Sequence, residues 1–237
     1  MSALPAVVLQ HRSDAPGGLA LDVLEEQGFH PQIVRLDRDE PLPDPAAFRL
    51  AVTLGPGPLA DGRETERGAK ELDWLRQADR AGTAVLGLGP GAQALAVALG
   101  GAVDRAARPR YAWVWISSST PDWIARGPWL VWRDQVIRPP GRARVLAHDP
   151  VGPQVFGAGR HLGIQFHAEI TREIVGGWVT AGNGTALDAQ GILEVTSREL
   201  TGASRAARRL LSTYLHSLAG PPGESKAPTT KRSNTDD

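Results

Sequence analysis

A chain of 237 residues, 41% of them hydrophobic, is long enough for one large α/β domain or two small ones and apolar enough to bury a sizeable core, which excludes wholesale disorder. Lysine plus arginine and aspartate plus glutamate balance at 26 each, so no global field draws the protein to nucleic-acid backbones or anionic membranes. The absence of cysteine removes disulfides, thiolate metal sites and any thiol nucleophile in one observation.

In chain order, "AVVLQH" (6–11) reads as a short buried strand, and a Gly-Gly entry leads into "LALDVLEEQGF" (19–29). Leu19, Val23 and Leu24 fall on one helical face there, with Gly28 as the C-cap. "PQIVRL" (31–36) and "FRLAVTL" (48–54) are strands, followed by the turn "GPGP", a helix over 64–81 and the strand "TAVLGL" (83–88). Strands alternating with helices at this spacing predict a mostly parallel sheet with helices on both faces, a flavodoxin-like α/β domain. Ligands of such sheets bind beyond the carboxyl ends of the strands, where "GPGP" and "GLGPG" both lie. The middle third changes character. "YAWVWISS", "WLVWRDQVI", "ARVLAHD", "PQVFGAG" and "HLGIQF" are short strands joined by Gly/Pro turns and predict an antiparallel extension of the same sheet. "TREIVGGWVTA" (171–181) and the segment 197–220, with leucines at 210, 211, 215 and 218, predict two closing helices, the second ending at Gly220. The domain is assigned to 1–220, and the Pro- and charge-rich segment 221–237 to a disordered tail. The N-terminus has no basic region followed by an apolar stretch, and no apolar run approaches the roughly 18 residues that a membrane span needs; a cytoplasmic protein with no membrane or nucleic-acid partner is expected.

Two segments far apart in sequence carry chemistry when read together. The first, "GLGPGAQ" (87–93), is a glycine-rich corner between a strand and a helix. The second, "GIQFHAE" (163–169), ends a strand with His167 and Glu169. A carboxylate two residues from a histidine can hold the imidazole tautomer while the ring takes a proton. Taken alone, His-x-Glu also describes an ordinary polar strand end.

Together the two segments resemble the class I, triad-type glutamine amidotransferases, in particular the stand-alone type similar to the glutaminase domain of GMP synthase. That family places a nucleophilic cysteine in an elbow of the form G-x-C-x-G-x-Q, follows it with a helix ending in LGG, and closes its last core strand with G-x-Q-F-H-x-E. This chain has "GLGPGAQ", then "ALAVALGG", then "GIQFHAE", and the resemblance runs over residues 5–218. It implies that Gly89 stands at the nucleophile position, His167 at the general base and Glu169 at the residue that orients it. Gly55 and Gly57 fall in the loop that lines the family's substrate pocket, and Gln93 at a position near bound glutamine, where it serves equally well as a polar residue of the helix N-terminus.

The match fails at the cysteine. Without a thiolate no glutamyl thioester forms, and loss of the nucleophile from a comparable hydrolase costs on the order of 10⁶ in turnover. Pro90 follows the apex and has no N–H, so a backbone donor of the oxyanion hole is also lost, a change of about 3–4 kcal/mol elsewhere. The expectation is a pseudo-glutaminase whose corner either survives for the turn alone or still binds a ligand. It would act as a regulatory, ligand-binding or scaffolding subunit, partnered by a synthase or acceptor subunit or by a glutamine-like small molecule. Two alternatives stand beside it. One is an active amidotransferase or amidohydrolase in which His167 and Glu169 activate a water, with the Gly55 or Gly57 amide as replacement oxyanion donor. The other is a purely structural interaction subunit. No cofactor is implied, and the histidines at 11, 30, 148, 161 and 216 show no metal-ligand spacing. Arg133 departs from the family's pattern near the pocket. Trp113 and Trp115 read as sheet packing and a partner-facing surface, Ser117–Ser119 as a solvated strand end, and Arg205, Arg208 and Arg209 as a solvated basic helix face.

Overall fold

The computed structural model describes residues 4–55, 65–182 and 189–218. Gly57, Gly220 and the segment 221–237 lie outside these residues. Its first half alternates β1 (Leu4–Gln10), α1 (Gly18–Glu26), β2 (Phe29–Arg35), β3 (Leu50–Thr53), α2 (Glu66–Ala81), β4 (Ala84–Leu88) and α3 (Pro90–Ala98). The second half contains β5 (Ala102–Val114), β6 (Ser117–Ser118), β7 (Trp129–Arg138), β8 (Arg144–His148), β9 (Pro153–Ala158), β10 (His161–Ile164), α4 (Arg172–Thr180) and α5 (Ala189–Ser217).

Eight strands form one sheet in the order β2-β1-β3-β4-β10-β9-β8-β6. The pairs from β2 through β10 are parallel, and those from β10 to β6 are antiparallel. The inner parallel strands β1, β3, β4 and β10 are near-continuous buried runs because both of their faces are covered, whereas the edge strand β2 is half exposed. Alternate residues therefore join opposite cores. Ala6, Val8, Leu50, Val52, Leu86 and Ile164 meet α1 and α5 through Leu24, Leu210 and Leu211. Val7, Leu9, Ala51 and Val85 meet α2 and α3 through Leu72, Leu75 and Leu95.

Local chemistry sets the helix ends. Thr65 caps α2 by accepting from the Gly68 N–H at 3.0 Å, Gly82 closes it at φ 77°, and Gly28 follows α1 at φ 80°, the left-handed position glycine fills without penalty.

The expected antiparallel extension holds for β8, β9 and the short edge strand β6, but the first two segments assigned to it behave differently. β5 and β7 pair only with each other, in a separate two-stranded ribbon with an irregularity between Arg105 and Arg110. The ribbon packs Leu130, Trp113 and Trp132 against α4 and the start of α5. "HLGIQF" also divides its loyalties, pairing antiparallel with β9 on one side and parallel with β4 on the other. α5 begins at Ala189, two turns before the predicted start, because Ile192 and Thr196 are buried against the ribbon; the Trp113 indole donates to Thr196 Oγ1 at 3.0 Å. Trp113 thus packs inward, whereas Trp115 is 68% exposed. Arg208 on the basic face of α5 reaches Glu26 of α1 at 2.5 Å.

A polar tie joins β4 and β10 at the end away from the elbow. The Val85 N–H donates to His161 Nδ1 at 3.1 Å, which leaves Nε2 to donate to Asp79 at 2.9 Å; Asp79 also pairs with Arg142. Burial holds the His161 imidazole below the ordinary histidine value, against the opposing pull of Asp79. The unfolded chain therefore binds the extra proton first, and stability falls as pH drops below about 6.5 toward the depressed folded value. Urea titrations across this window should show that decline in the wild type, and His161→Gln should flatten it; an unchanged slope in the variant would assign the pH dependence elsewhere.

Candidate functional site

Strand β4 ends in Leu88, and the chain reverses through Gly89 at φ 54°, ψ −118° into α3, whose first residue is Pro90. Proline suits this position because the first helical N–H has no partner within the helix. Around the corner, backbone lies directly on backbone. A Cβ at Gly91 would stand 1.9 Å from the Thr53 carbonyl oxygen, one at Gly55 (φ 90°) 2.2 Å from the Gly91 nitrogen, and one at Gly87 2.5 Å from the Gly91 carbonyl oxygen. The Gly89 N–H donates to the Ile164 carbonyl at 2.8 Å, which ties the apex to the neighbouring strand.

The segment after β10 is fixed from three sides. The Gln165 N–H donates to Gln154, the His167 N–H donates to Leu130 of the ribbon, and the Glu169 carbonyl accepts from the Leu19 N–H at the start of α1. Phe166 stacks on Trp129 at 4.2 Å. These contacts deliver His167 and Glu169, each 5% exposed, to the elbow. His167 Nδ1 lies 2.7 Å from Glu169 Oε1, while Nε2 is 3.5 Å from the Trp132 carbonyl oxygen. The imidazole also covers the apex: a Cβ built on Gly89 would be 2.6 Å from His167 Cε1 and 3.4 Å from Nε2.

A cavity of about 190 Å³ opens beside this pair, lined by His11, Arg12, Leu54, Gly55, Pro90, Trp132, His167, Glu169 and Trp178 among others. Of the residues singled out in the sequence, Gly55, Pro90, His167 and Glu169 meet on this wall, with Gly89 beneath the imidazole. Gln93 does not: it is 3% exposed and directs its amide to Gln165 Oε1 at 3.3 Å. The Gly55 N–H, considered as an oxyanion donor, points to Thr53 Oγ1 at 3.2 Å. Arg133 is also remote from the wall, in a buried pair with Asp149 at 3.1 Å, and its guanidinium is held below its usual value by burial.

The sequence reading missed a second histidine–carboxylate pair. His11, just beyond the end of β1, places Nε2 2.5 Å from Glu71 Oε2, and Thr53 donates its hydroxyl to the other oxygen at 2.5 Å. Glu71 is completely buried in α2. The available signal was positional, since Gln10-His11 closes a central parallel strand on the side where such sheets hold ligands. Trp132 and Trp178, which meet at 5.5 Å, supply the aromatic side of the cavity, and Trp178 also meets the His167 ring edge-on at 4.7 Å. Among the described residues no group of three or more His, Cys, Asp or Glu side chains can hold a metal ion, and no helix is long and apolar enough to cross a membrane.

No family model matches the chain. It is 29% identical over 193 residues to the glutamine-hydrolyzing GMP synthase of Aeropyrum pernix, covering 70% of this chain and 36% of that protein. It therefore spans about a third of that relative's length. A glutamine-hydrolyzing GMP synthase subunit of Ignicoccus hospitalis is 30% identical over 139 residues, covering 55% of this chain and 71% of that protein. The counterpart from Sulfurisphaera tokodaii is 31% identical over 128 residues, covering 50% and 66%. In three dimensions the chain superposes on a glutamine amidotransferase from Methylobacillus flagellatus with a TM-score of 0.82 at 21% identity, over 91% of this chain and 95% of that one. One from Thermotoga maritima gives 0.79, also at 21% identity, over 91% and 99%. The fold and these relatives define the class I glutamine amidotransferase family. The chain belongs to that family, in the stand-alone type similar to the GMP synthase glutaminase subunit.

The left-handed apex should be sensitive to any side chain. Gly89→Ala combines a positive-φ penalty of about 1–3 kcal/mol with the contact on His167, so chemical denaturation should show a loss of at least about 1 kcal/mol. A neutral substitution would mean that the imidazole yields freely and that the corner is relaxed.

Proposed function

We propose that this protein is a glutamine amidotransferase-like subunit without cysteine-dependent glutaminase activity, serving in the cytoplasm as a ligand-binding or regulatory partner of a synthase. One observation carries the reading: Gly89, at the position where the family has its nucleophile, brings no reactive atom to the elbow, and the His167 imidazole crowds the place where a Cβ would stand. Pro90 adds a second deficit, because the residue after the apex donates to the oxyanion in this elbow design and proline has no N–H. The Gly55 amide, already directed at Thr53 Oγ1, is a poor replacement. The proposed synthase partner rests on the relatives named as subunits of GMP synthase, a name that denotes one component of a larger enzyme.

The intact 2.7 Å contact between His167 and Glu169 favours a second reading, in which the imidazole activates a water for amide hydrolysis. The two differ in ammonia release from glutamine. On the first reading, wild type, His167→Ala and Gly89→Cys all stay at background, about 10⁶-fold below a competent triad. Gly89→Cys fails alone because its Cβ would stand 2.6 Å from His167 Cε1 and the Pro90 donor is still missing. Wild-type release that disappears in His167→Ala would establish the water mechanism instead.

A further inference from the structure

The cavity beside the elbow is lined by two side chains with polar atoms that nothing in the described protein satisfies. Glu169, whose side chain is 6% exposed, engages His167 through Oε1 and leaves Oε2 buried without a partner. His11, whose side chain is 9% exposed, engages Glu71 through Nε2 and leaves Nδ1 buried without a partner. A carboxylate oxygen can only accept, and an imidazole that donates from Nε2 to a carboxylate accepts at Nδ1 in its neutral tautomer. With the His11 ring in that tautomer, both unmet atoms are acceptors.

The surrounding charges point the same way. Glu169 lines the cavity and Glu71 holds His11 of the same wall, and both carboxyl groups are buried. Among the described residues the one guanidinium on the wall, Arg12, donates through Nε to its own neighbour Asp14 at 2.7 Å and forms an ion pair with it through the terminal nitrogen. The Trp178 indole N–H is committed to the Asp14 carbonyl at 2.8 Å, so this residue offers the cavity its aromatic surface rather than a donor. Trp132 contributes a second ring to the same wall.

From these features we infer that the cavity binds a small primary amine as its ammonium ion, which donates to Glu169 Oε2 and His11 Nδ1 and lays its hydrocarbon part on Trp132 and Trp178. An ammonium has three donors and no acceptor, matches two unmet acceptors, and gains from an indole face. A ligand carboxylate would instead meet Glu169 with like charge. The volume of about 190 Å³ equals that of about six waters at roughly 30 Å³ each, which suits a short amine. This inference rests on the reading that the pocket holds a ligand without hydrolysing glutamine, and it names the chemistry of that ligand.

Calorimetric and tryptophan-fluorescence titrations of the full chain at pH 7.5 with butylamine, butyrate and butyramide test it. The amine is charged there, as lysine is below about 10.4. Butylamine should bind at least about tenfold more tightly than either analogue, in line with the extra strength of a hydrogen bond to a charged group. Glu169→Gln, which keeps the shape of the side chain, should remove that preference. Trp178→Phe should weaken butylamine about two- to fivefold while keeping the preference, and far-UV circular dichroism of each variant confirms that it folds. Butyrate or butyramide binding as tightly as butylamine, no butylamine binding at millimolar concentration, or an unchanged amine affinity in Glu169→Gln would overturn the inference. Ammonia release from glutamine, assayed on the same preparation, reports on the non-hydrolytic reading separately: a preparation that hydrolyses glutamine yet selects the amine sinks that reading and leaves this one standing.

Discussion

The contact between Gly91 and the Thr53 carbonyl governs the geometry of the site. With a virtual Cβ only 1.9 Å from that oxygen, no other residue lets α3 sit where it does, because any side chain would push the helix off the end of β3. Gly55 and Gly87 extend the same close packing on either side. Helix α3 therefore starts directly over the carboxyl ends of the central strands, and Gly89 has to turn through a left-handed conformation to enter it. The corner is a product of how closely helix and sheet approach. Its shape is set before any question of which side chain stands at the apex.

That approach also fixes the two histidine–carboxylate pairs. Thr53, whose carbonyl receives Gly91, donates its hydroxyl to Glu71 and so links the elbow to His11. Ile164, which receives the Gly89 N–H, is the last residue of the strand that leads into His167 and Glu169. A fully buried carboxylate such as Glu71 is tolerated only with hydrogen-bond partners, and removing one from such an arrangement costs several kcal/mol. The ribbon and α4 complete the enclosure by bringing Trp132 and Trp178 over the opening. Nothing in the central sheet supplies these two rings; the insertion between α3 and β8 contributes one and the helix after β10 the other.

How much of this could be read from the residues follows from how local each signal is. The alternation of apolar strands with capped helices reports a doubly covered parallel sheet, because the pattern is imposed residue by residue by burial on both faces. The elbow and the His167–Glu169 terminus are short contiguous motifs and are equally legible. The β5–β7 ribbon was not separable from the sheet extension, since an antiparallel strand has the same two-residue period whichever partner it pairs with. The two extra turns of α5 depend on Ile192 and Thr196 meeting the ribbon, a tertiary contact with no local marker. The His11–Glu71 pair joins residues 60 positions apart, and a lone histidine carries no sign of its partner. Gln93 shows the reverse: its motif position allowed either contact with a ligand or a polar place at the helix N-terminus, and burial on the helix turns its amide toward Gln165.

A catalytic-looking pair beside an apex without a side chain can be explained in part by packing. The His167 imidazole covers Gly89 and meets the edge of Trp178, so the ring fills space that a shorter side chain would leave open, and its Nδ1 contact with Glu169 satisfies a buried nitrogen. Packing of this kind accounts for the histidine and for one oxygen of the glutamate. It does not account for Oε2, which is buried and without a partner among the described residues. Leaving such an acceptor unmet costs about 1–3 kcal/mol, whereas an apolar side chain of similar size would fill the same space without that cost. A pair kept only for the turn has no use for this atom; a pocket that receives a hydrogen-bond donor does, and the second unmet acceptor, on His11 of the same wall, is accounted for by the same donor-bearing ligand.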